Sequence, residues 1–503
     1  MAFIIIIIIT IFILYLTSFY KTVRKMYELW VAGEKIPGPP AHPIFGNVGL
    51  FTNKSGEELH DVLKEQAQLT REKGHNVMRL QMMGQLVVWP LNGKMCAKIL
   101  ESTTELDKGD DYSYYAPWIG GGIILEGYGE RWKSHRKMLT STFHFAKLEG
   151  YLDVFNSESK IFIDCLDKYA ETGETVDVFP FIKRCTLDII CGTAMGTKVD
   201  AQYNHNHKYV EAVEQFNQLA VIKSMNPLLR SKIFATILGY EKKTNECLYT
   251  LKKFTNDVIS ERRAAIASGE AQKETSKRKM NFLDILLDNE ESNVLSEEDI
   301  RQEVDTFMFA GHDTTTTSLS WLIWNLAHNQ DIQQKVYEEL VQVFGDDPSD
   351  DLTSVNINKL EYTERVIKES KRLIAPVPAV QRKLRQPLEM DGYTIPSETN
   401  ISIAQMLIHT NPNVYTNPDV FDPDRFLPDE VSKRNAYDYI PFSAGLRNCI
   451  GQKFSQINEK VMIIHLMRNY RIEPMLKFNE TKPVLEIVAK PSNGIPVKLI
   501  RRG

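Results

Sequence analysis

Hydrophobic positions fall into three patterns along this chain. The first is at the N-terminus, where Ala2 to Tyr20 carries no charged residue and Ile4 to Ile9 is an unbroken isoleucine run. As a helix rising about 1.5 Å per residue, this stretch nearly matches a hydrocarbon core of roughly 30 Å. Lys21, Arg24 and Lys25 follow at once, which by the positive-inside rule leaves the rest of the chain in the cytosol. A cleaved signal peptide would want a shorter apolar core, positive charge ahead of it and a small-residue cleavage site, which this segment does not offer. The expectation is a membrane anchor over 2–20 and a basic, Pro-rich hinge over 21–40. In that hinge Pro37-Gly38-Pro39-Pro40 forbids helix continuation.

The second pattern is helical. Apolar residues recur at three- and four-residue spacing over Phe143 to Tyr169, Val210 to Ser224 and Glu241 to Ile266. The polar stretch from Ser268 to Lys279 reads as an exposed loop. Ser296, with Asp299 three residues on, predicts a capped helix start, and apolar positions then continue to about Ala327. A helix of that length must cross a whole domain, so its ends and its middle meet different neighbours. Another helix is predicted from about Asn358 to Ile374, stopped by Pro376. The third pattern is short and extended: a strand near Leu86 to Trp89, β structure over Thr394 to Ile403, and a small hairpin over Leu485 to Leu499 with Pro491 and Gly494 in its middle.

Composition changes this picture little. Of 503 residues 43% are hydrophobic and 25% charged, the balance of an ordinary globular chain. No Gly/Ser-rich linker or internal repeat divides it, so one large domain over 41–503 is expected. The net charge of −5 argues against nucleic acid as the main partner. None of the six cysteines sits in a C-x-x-C pair, which suits a reducing compartment. The sequons at Asn53, Asn400 and Asn479 are then chance matches.

The candidate chemistry centres on Phe442-Ser443-Ala444-Gly445-Leu446-Arg447-Asn448-Cys449-Ile450-Gly451. A thiolate facing a metal needs a tight loop that aims backbone N–H groups at sulfur, and glycines permit such loops. Those N–H groups, and the helix that starts near Gln452, favour negative charge on the sulfur. Arg447 could neutralise a carboxylate. The plain alternative is a buried, inert cysteine after a turn. Glu369 and Arg372 share a helix face at i, i+3, a pair worth little if exposed. Ala310-Gly311-His312-Asp313-Thr314-Thr315 places poor helix formers mid-helix, where threonine hydroxyls can divert carbonyls and open or bend it. His312 reads as helix surface or packing, not as a ligand. Trp132 and Arg136 point the same way at i, i+4.

The cysteine segment resembles the haem-binding signature of the cytochrome P-450 superfamily, F-x-x-G-x-R-x-C-x-G, at every defined position. The resemblance implies a mainly α fold with small β-sheets behind one N-terminal transmembrane helix. It implies haem b with Cys449 as the axial thiolate, held by a loop in which Phe442, Gly445, Arg447 and Gly451 are fixed. It further implies haem propionates met by Trp132, Arg136 and Arg382, and a buried Glu369–Arg372–Arg425 cluster beneath the haem, with Arg425 from Pro423-Asp424-Arg425-Phe426. Asp313 and Thr314 match the acid and alcohol that relay protons to bound oxygen. Glu303 through Phe309, His135-Arg136-Lys137 with Thr142-Phe143-His144-Phe145, and Tyr114 through Gly120 are similar to the family-four branch, which includes fatty-acid ω-hydroxylases. Many of that branch carry a glutamate, which can become ester-linked to haem, where this chain has Ala310. The expected haem is therefore not ester-linked.

The function implied is a monooxygenase of the endoplasmic reticulum membrane that inserts one atom of O2 into a C–H bond of a lipophilic substrate, a fatty acid above others. Sterols, terpenoids and foreign compounds are the alternatives, with a lipid-peroxide isomerase or a non-catalytic lipid- or haem-binder behind them. The chain carries no nucleotide motif of its own. Its electrons would come from an NADPH-cytochrome reductase, with cytochrome b5 as a second donor. Docking could use a basic face of Lys433, Arg434, Arg447, Lys453 and Lys460, with Arg131, Lys133 and Lys137.

Overall fold

The computed structural model describes the chain except residues 1, 53, 83, 144–147, 205, 271–280, 293, 346, 348–351 and 503; side chains of 2–9, 11, 12, 141 and 227 are likewise outside the description. Most of the predicted polar loop and the His144-Phe145 pair therefore lie outside the described residues. The helices that matter are α1 (Ala2–Gly33), α2 (Gly56–Glu72), α3 (Glu130–Thr140), α4 (Leu152–Thr172), α5 (Phe179–Ile190), α6 (Lys208–Met225), α7 (Tyr240–Ala267), α8 (Glu297–His328), α9 (Glu361–Leu373) and α10 (Gln452–Asn469). The strands are β1 (Val77–Met82), β2 (Gln85–Pro90), β3 (Val380–Lys383), β4 (Asn400–Ile403), β5 (Tyr470–Pro474), β6 (Pro483–Leu485), β7 (Ala489–Pro491) and β8 (Pro496–Arg501).

The axis of the molecule is α8. Ser296 caps it as predicted: its hydroxyl accepts from the Asp299 N–H at 3.1 Å, and its own N–H donates back to the Asp299 carboxylate at 3.0 Å. Most of α8 is buried around its whole circumference, which its sequence tolerates because its polar side chains find partners, some on neighbouring elements and many among its own carbonyls. The hydroxyls of Thr306, Thr314, Thr316, Thr317 and Ser320 each donate to the carbonyl four residues back, at 2.7–2.9 Å. The helix stays α-helical through this run, so the threonines bond back without opening it. Gly311 serves packing: a Cβ there would stand 2.7 Å from the Ile190 Cδ1 of α5, so glycine is what lets the two helices approach.

The four-stranded sheet has the order β1-β2-β4-β3. Its β2–β4 pair is parallel, with Val87 opposite Asn400, and its other pairs are antiparallel. The expected strand near Leu86 is thus β2, and Thr394 to Ile403 divides into Tyr393–Ile395 and β4. The C-terminal tail differs from the reading of one hairpin over Leu485 to Leu499. β6 pairs with β7 across a turn at Glu486–Val488, while β8 leaves to pair with β5 and Val176–Asp177. Pro491 and Gly494 lie between two sheets, not at a hairpin tip. Local turn residues could not reveal that, because the partner of β8 is remote in sequence.

Past its apolar part α1 continues as helix to Gly33 and docks on β1. The Gln81 side chain donates to Trp30 O at 2.9 Å, the Arg79 N–H to Pro37 O at 2.7 Å and the Arg79 guanidinium to Pro39 O at 2.7 Å. Among the described residues no helix is long and apolar enough to cross a membrane. The isoleucine run of the expected anchor falls where side chains are outside the description.

One buried pair sets a pH dependence. Glu158 of α4 and Asp188 of α5 are both buried; Glu158 accepts from the Gln202 side chain at 2.9 Å, and Asp188 from the N–H groups of Ala201 and Gln202 at 2.7 and 2.9 Å. Burial, then the charge of Asp188, pushes the Glu158 carboxyl from its ordinary 4.5 to about 7; burial pushes Asp188 to about 6. Because Glu158 is raised in the folded state, its contribution to stability is full below about pH 4.5 and is lost as pH rises through about 7. Glu158→Gln should therefore flatten stability between pH 5 and 8, gaining up to ~2–3 kcal/mol at pH 8. Urea titrations at several pH values measure this, and an unchanged pH slope would contradict it.

Candidate active site

Two features meet at one cavity of about 560 Å³: the loop carrying Cys449 and the middle of α8. The loop folds back on itself, the Cys449 N–H donating to Phe442 O at 2.9 Å and the Asn448 N–H to Gly445 O at 3.1 Å. Gly445 is required here: its φ is +70°, and a Cβ would fall 1.9 Å from Leu100 O. Ser443 also takes a positive φ of 58°. Gly451 precedes α10 and directs its N–H at the Cys449 sulfur. The thiol is enclosed by protein yet exposed to the cavity. Burial pushes its pKa up, while the Gly451 N–H, Arg136 and Lys371 pull it down. The net shift is upward, so these groups only offset part of the cost of burial, and a thiolate there calls for a cation in front of the sulfur.

Ala310, Gly311, Thr314 and Thr315 of α8 form part of the cavity wall. Asp313 is not on it. It is buried behind the wall, where its Oδ2 accepts from the Asn217 amide of α6 at 3.2 Å. Adjacent helix residues diverge by about 100°, so Thr314 and Asp313 face different neighbours. His312 is buried and not on the surface: its Nδ1 lies 2.8 Å from Met308 O and its ring packs against Tyr209. Burial pushes its pKa down. The rest of the cavity is mainly apolar. It reaches Phe51, Leu59 and Leu63 on the α2 side, and Ala220, Val221 and Met225 at the end of α6.

Beside Cys449 lies a cluster of cations. Arg136 donates to the Asn448 carbonyl at 3.0 Å and side chain at 2.7 Å. Arg447 is buried, donates to the carbonyls of Ile123 and Glu126 at 3.2 and 2.7 Å, and stacks over Trp132 at 4.1 Å. Arg382 is buried and donates to Gln381 O at 3.0 Å. Lys108, across a backbone bridge from Arg382, completes the group. Burial pushes all four cations downward. Arg382 and Arg136 add to the effect on Lys108 and Arg447, and Arg447 falls to about 10.

Such convergence of like charge is costly without an anion. Among the described residues the nearby carboxylate, Asp107, is committed to Arg385 at 2.5 and 2.9 Å. Arg447 Nε and Trp132 Nε1 are buried with no partner among the described residues. These residues fit a flat cofactor bearing two carboxylates beside the sulfur, as a haem would. Lys108 was missed by sequence reasoning, because no local pattern distinguishes it; its place is set by the pairing of residue 108 with 382.

The expected ion cluster is assembled as well. Arg372 donates to both Glu369 oxygens at 2.7 and 2.8 Å and to His409 O at 3.0 Å, and Arg425 Nε stands 3.5 Å from Glu369. The expected basic docking face needs correction, since Arg447 points inward. Several of its other members are paired: Lys460 with Glu364, Lys433 with Glu430, Lys133 with Glu130, and Arg131 with Glu126 and Asp299. Lys137 and Lys453 are exposed.

Comparison with known proteins agrees with this geometry. A sequence profile of the cytochrome P450 family matches residues 36–499. Cytochrome P450 4c21 of Blattella germanica is 35% identical over 484 residues, covering 93% of both chains. Human cytochrome P450 4V2 is 37% identical over 500 residues, covering 96% of this chain and 93% of its own. The crystal structure of the cytochrome P450DA haem domain superposes with a TM-score of 0.79 at 19% identity, over 93% of this chain and 98% of that one. This last likeness speaks for the fold. The relatives over nearly the full length, and the match running from the hinge to β8, show that the chain belongs to the cytochrome P450 family and is a monooxygenase of the family-four kind.

Proposed function

We propose that this protein hydroxylates fatty acids or related lipids at the membrane surface, using haem b held without a covalent ester. When bound, haem would supply the oxygen-activating chemistry, which takes up O2, two electrons and two protons and leaves one oxygen atom in a substrate C–H bond and the other in water. Cys449 would hold the iron as thiolate, with its charge steadied by the Gly451 N–H. Lys108, Arg136, Arg382, Arg447 and Trp132 would bind the propionates. Thr314 Oγ1 stands on the cavity wall, where its hydroxyl proton can turn from Ala310 O into the cavity. The lipid reading is carried by one observation above others. The cavity runs from Cys449 between apolar walls toward α2 and the end of α6, a shape suited to a long, apolar chain.

The membrane reading rests on the charge-free N-terminus and on exposed apolar residues elsewhere. Leu228, Ile233, Phe234, Ile237 and Leu238 are all about half exposed or more, as are Ile44 and Phe45. In this reading 2–20 anchors the protein in the endoplasmic reticulum, 21–40 connects, and 41–503 is the catalytic domain in the cytosol. The electron donor is an NADPH-dependent flavoprotein reductase, with cytochrome b5 as an auxiliary. Lys137 and Lys453 would remain on the docking face.

A panel of saturated and unsaturated fatty acids, given to the membrane-bound enzyme with reductase and NADPH, tests this reading. Hydroxylation at or near the terminal carbon is the expected product. Ala310 cannot form the ester that would fix the haem, so mixed positions near the terminus are expected, and acid-denatured protein should release all its haem. Haem still attached by mass would contradict the first point. No product from any fatty acid, with an intact thiolate-type spectrum, would turn the substrate reading to sterols, terpenoids or foreign compounds.

A further inference from the structure

A carboxylate on the cavity wall is backed by charged groups of α5, α6 and β7. Glu486 sits at the turn between β6 and β7 and lines the cavity, with its side chain 6% exposed. Lys490 of β7 holds it, Nζ to Oε1 at 2.8 Å, and reaches the Glu214 carboxylate of α6 at 3.8 Å. Lys183 of α5 meets the other oxygen of Glu214 at 3.6 Å. Glu214 itself is 43% exposed. Charged groups thus lead from solvent to the cavity wall.

A second set of groups continues inward. Glu214 and Asn217 are three residues apart on α6 and share a face. Asn217 donates to Asp313, while its own Oδ1 is buried with no partner among the described residues. The Tyr115 hydroxyl, on the cavity wall, is buried and unpartnered in the same sense, and it feels the charges of both Glu486 and Asp313. Buried polar atoms of this kind are satisfied by ordered water.

A structural ion pair is the plain reading of Glu486–Lys490, but the hairpin is already fixed without it. The Trp321 indole of α8 donates to Ala489 O at 2.6 Å, and the Ala489 N–H to Pro376 O at 2.9 Å. A carboxylate on a cavity wall costs desolvation free energy that packing alone does not recover. Burial pushes the Glu486 carboxyl up, Asp313 and Glu214 push the same way, and Lys490 pulls it down; the net shift is upward.

We propose that Glu486 is the inlet through which solvent protons reach Asp313 and Thr314, by way of water bridged between Tyr115, Asn217 and Glu486. The overall reaction is RH + O2 + 2e⁻ + 2H⁺ giving ROH + H2O. The electrons come from the flavoprotein reductase and both protons from solvent. Glu486 gives a proton to the bridging water and regains one from solvent through Lys490 and Glu214, so it is unchanged after each turnover. It works through water and Asp313, as a relay, and not by holding substrate.

The test uses the holoenzyme with reductase, comparing wild type with E486Q, E486D and Lys490→Met. Dodecanoic acid is the probe, and substrate-free NADPH oxidation is followed in parallel, so that rejection of fatty acids would not cancel the result. The expectation for E486Q is an unchanged carbon-monoxide spectrum and dodecanoic acid affinity. The share of NADPH electrons lost as hydrogen peroxide should rise at least fivefold, and the solvent hydrogen-isotope effect should increase. E486D should restore much of the coupling, and Lys490→Met should fall between. Unchanged peroxide yield and isotope effect in E486Q would overturn the proposal. So would a loss of dodecanoic acid affinity with coupling intact, which would make Glu486 a substrate contact.

Discussion

Arg372→Leu is expected to destabilise the fold by about 3–5 kcal/mol, because it strands a buried charge. Glu369 and Arg372 are both fully buried, and the Glu369 carboxylate takes both its close charge-assisted bonds from Arg372. Arg425 at 3.5 Å and the Asp422 N–H at 2.9 Å are what would remain. The guanidinium also ties α9 to the chain on its other side through His409 O and Val420 O. Against a typical total of about 5–15 kcal/mol, the loss leaves little. Urea unfolding measures it. Adding Glu369→Gln to Arg372→Leu should recover part of the loss, since no charge is then stranded. A single variant within ~0.5 kcal/mol of wild type would contradict the account.

The second large effect is on turnover. Cys449→Ser should lower product formation at least ~1000-fold, about 4 kcal/mol of barrier, with little change in unfolding. The loop around it is set by Gly445, by the Phe442 and Gly445 carbonyls and by α10, none of which needs the sulfur. What serine cannot supply is a thiolate that pushes electron density onto iron. Retention of more than about a tenth of wild-type turnover would show that the sulfur is not the ligand that matters.

How much of this could be read in the sequence follows from how local each feature is. The Cys449 loop and the start of α8 are written in contiguous residues: glycines where a positive φ or a close approach demands them, and a serine–aspartate cap three apart. The threonine run was also legible, though its hydroxyls bond back and leave α8 unbroken. Features made by remote pairing were not legible. Lys108 joins the cation cluster only because its backbone bridges to Arg382, and Glu486 reaches the cavity only because β6 and β7 turn back onto α8. The same blindness misplaced the tail hairpin and put Arg447 on a docking face. In sequence Arg447 reads both as a carboxylate partner and as part of a basic face; in the fold it is held inward by the carbonyls of Ile123 and Glu126, which suits the first and not the second. Asp313 and Thr314 are neighbours in sequence, yet only Thr314 meets the cavity, since α6 claims the aspartate.

Cys449 and the surrounding cations are expected to hold a thiolate-ligated haem. The carbon-monoxide difference spectrum of the reduced, purified protein tests it most directly. The wild type should show the long-wavelength Soret band characteristic of a thiolate ligand, and Cys449→Ser should lose it. A correctly folded wild-type protein that binds haem but shows only the short-wavelength band of a neutral ligand would contradict it.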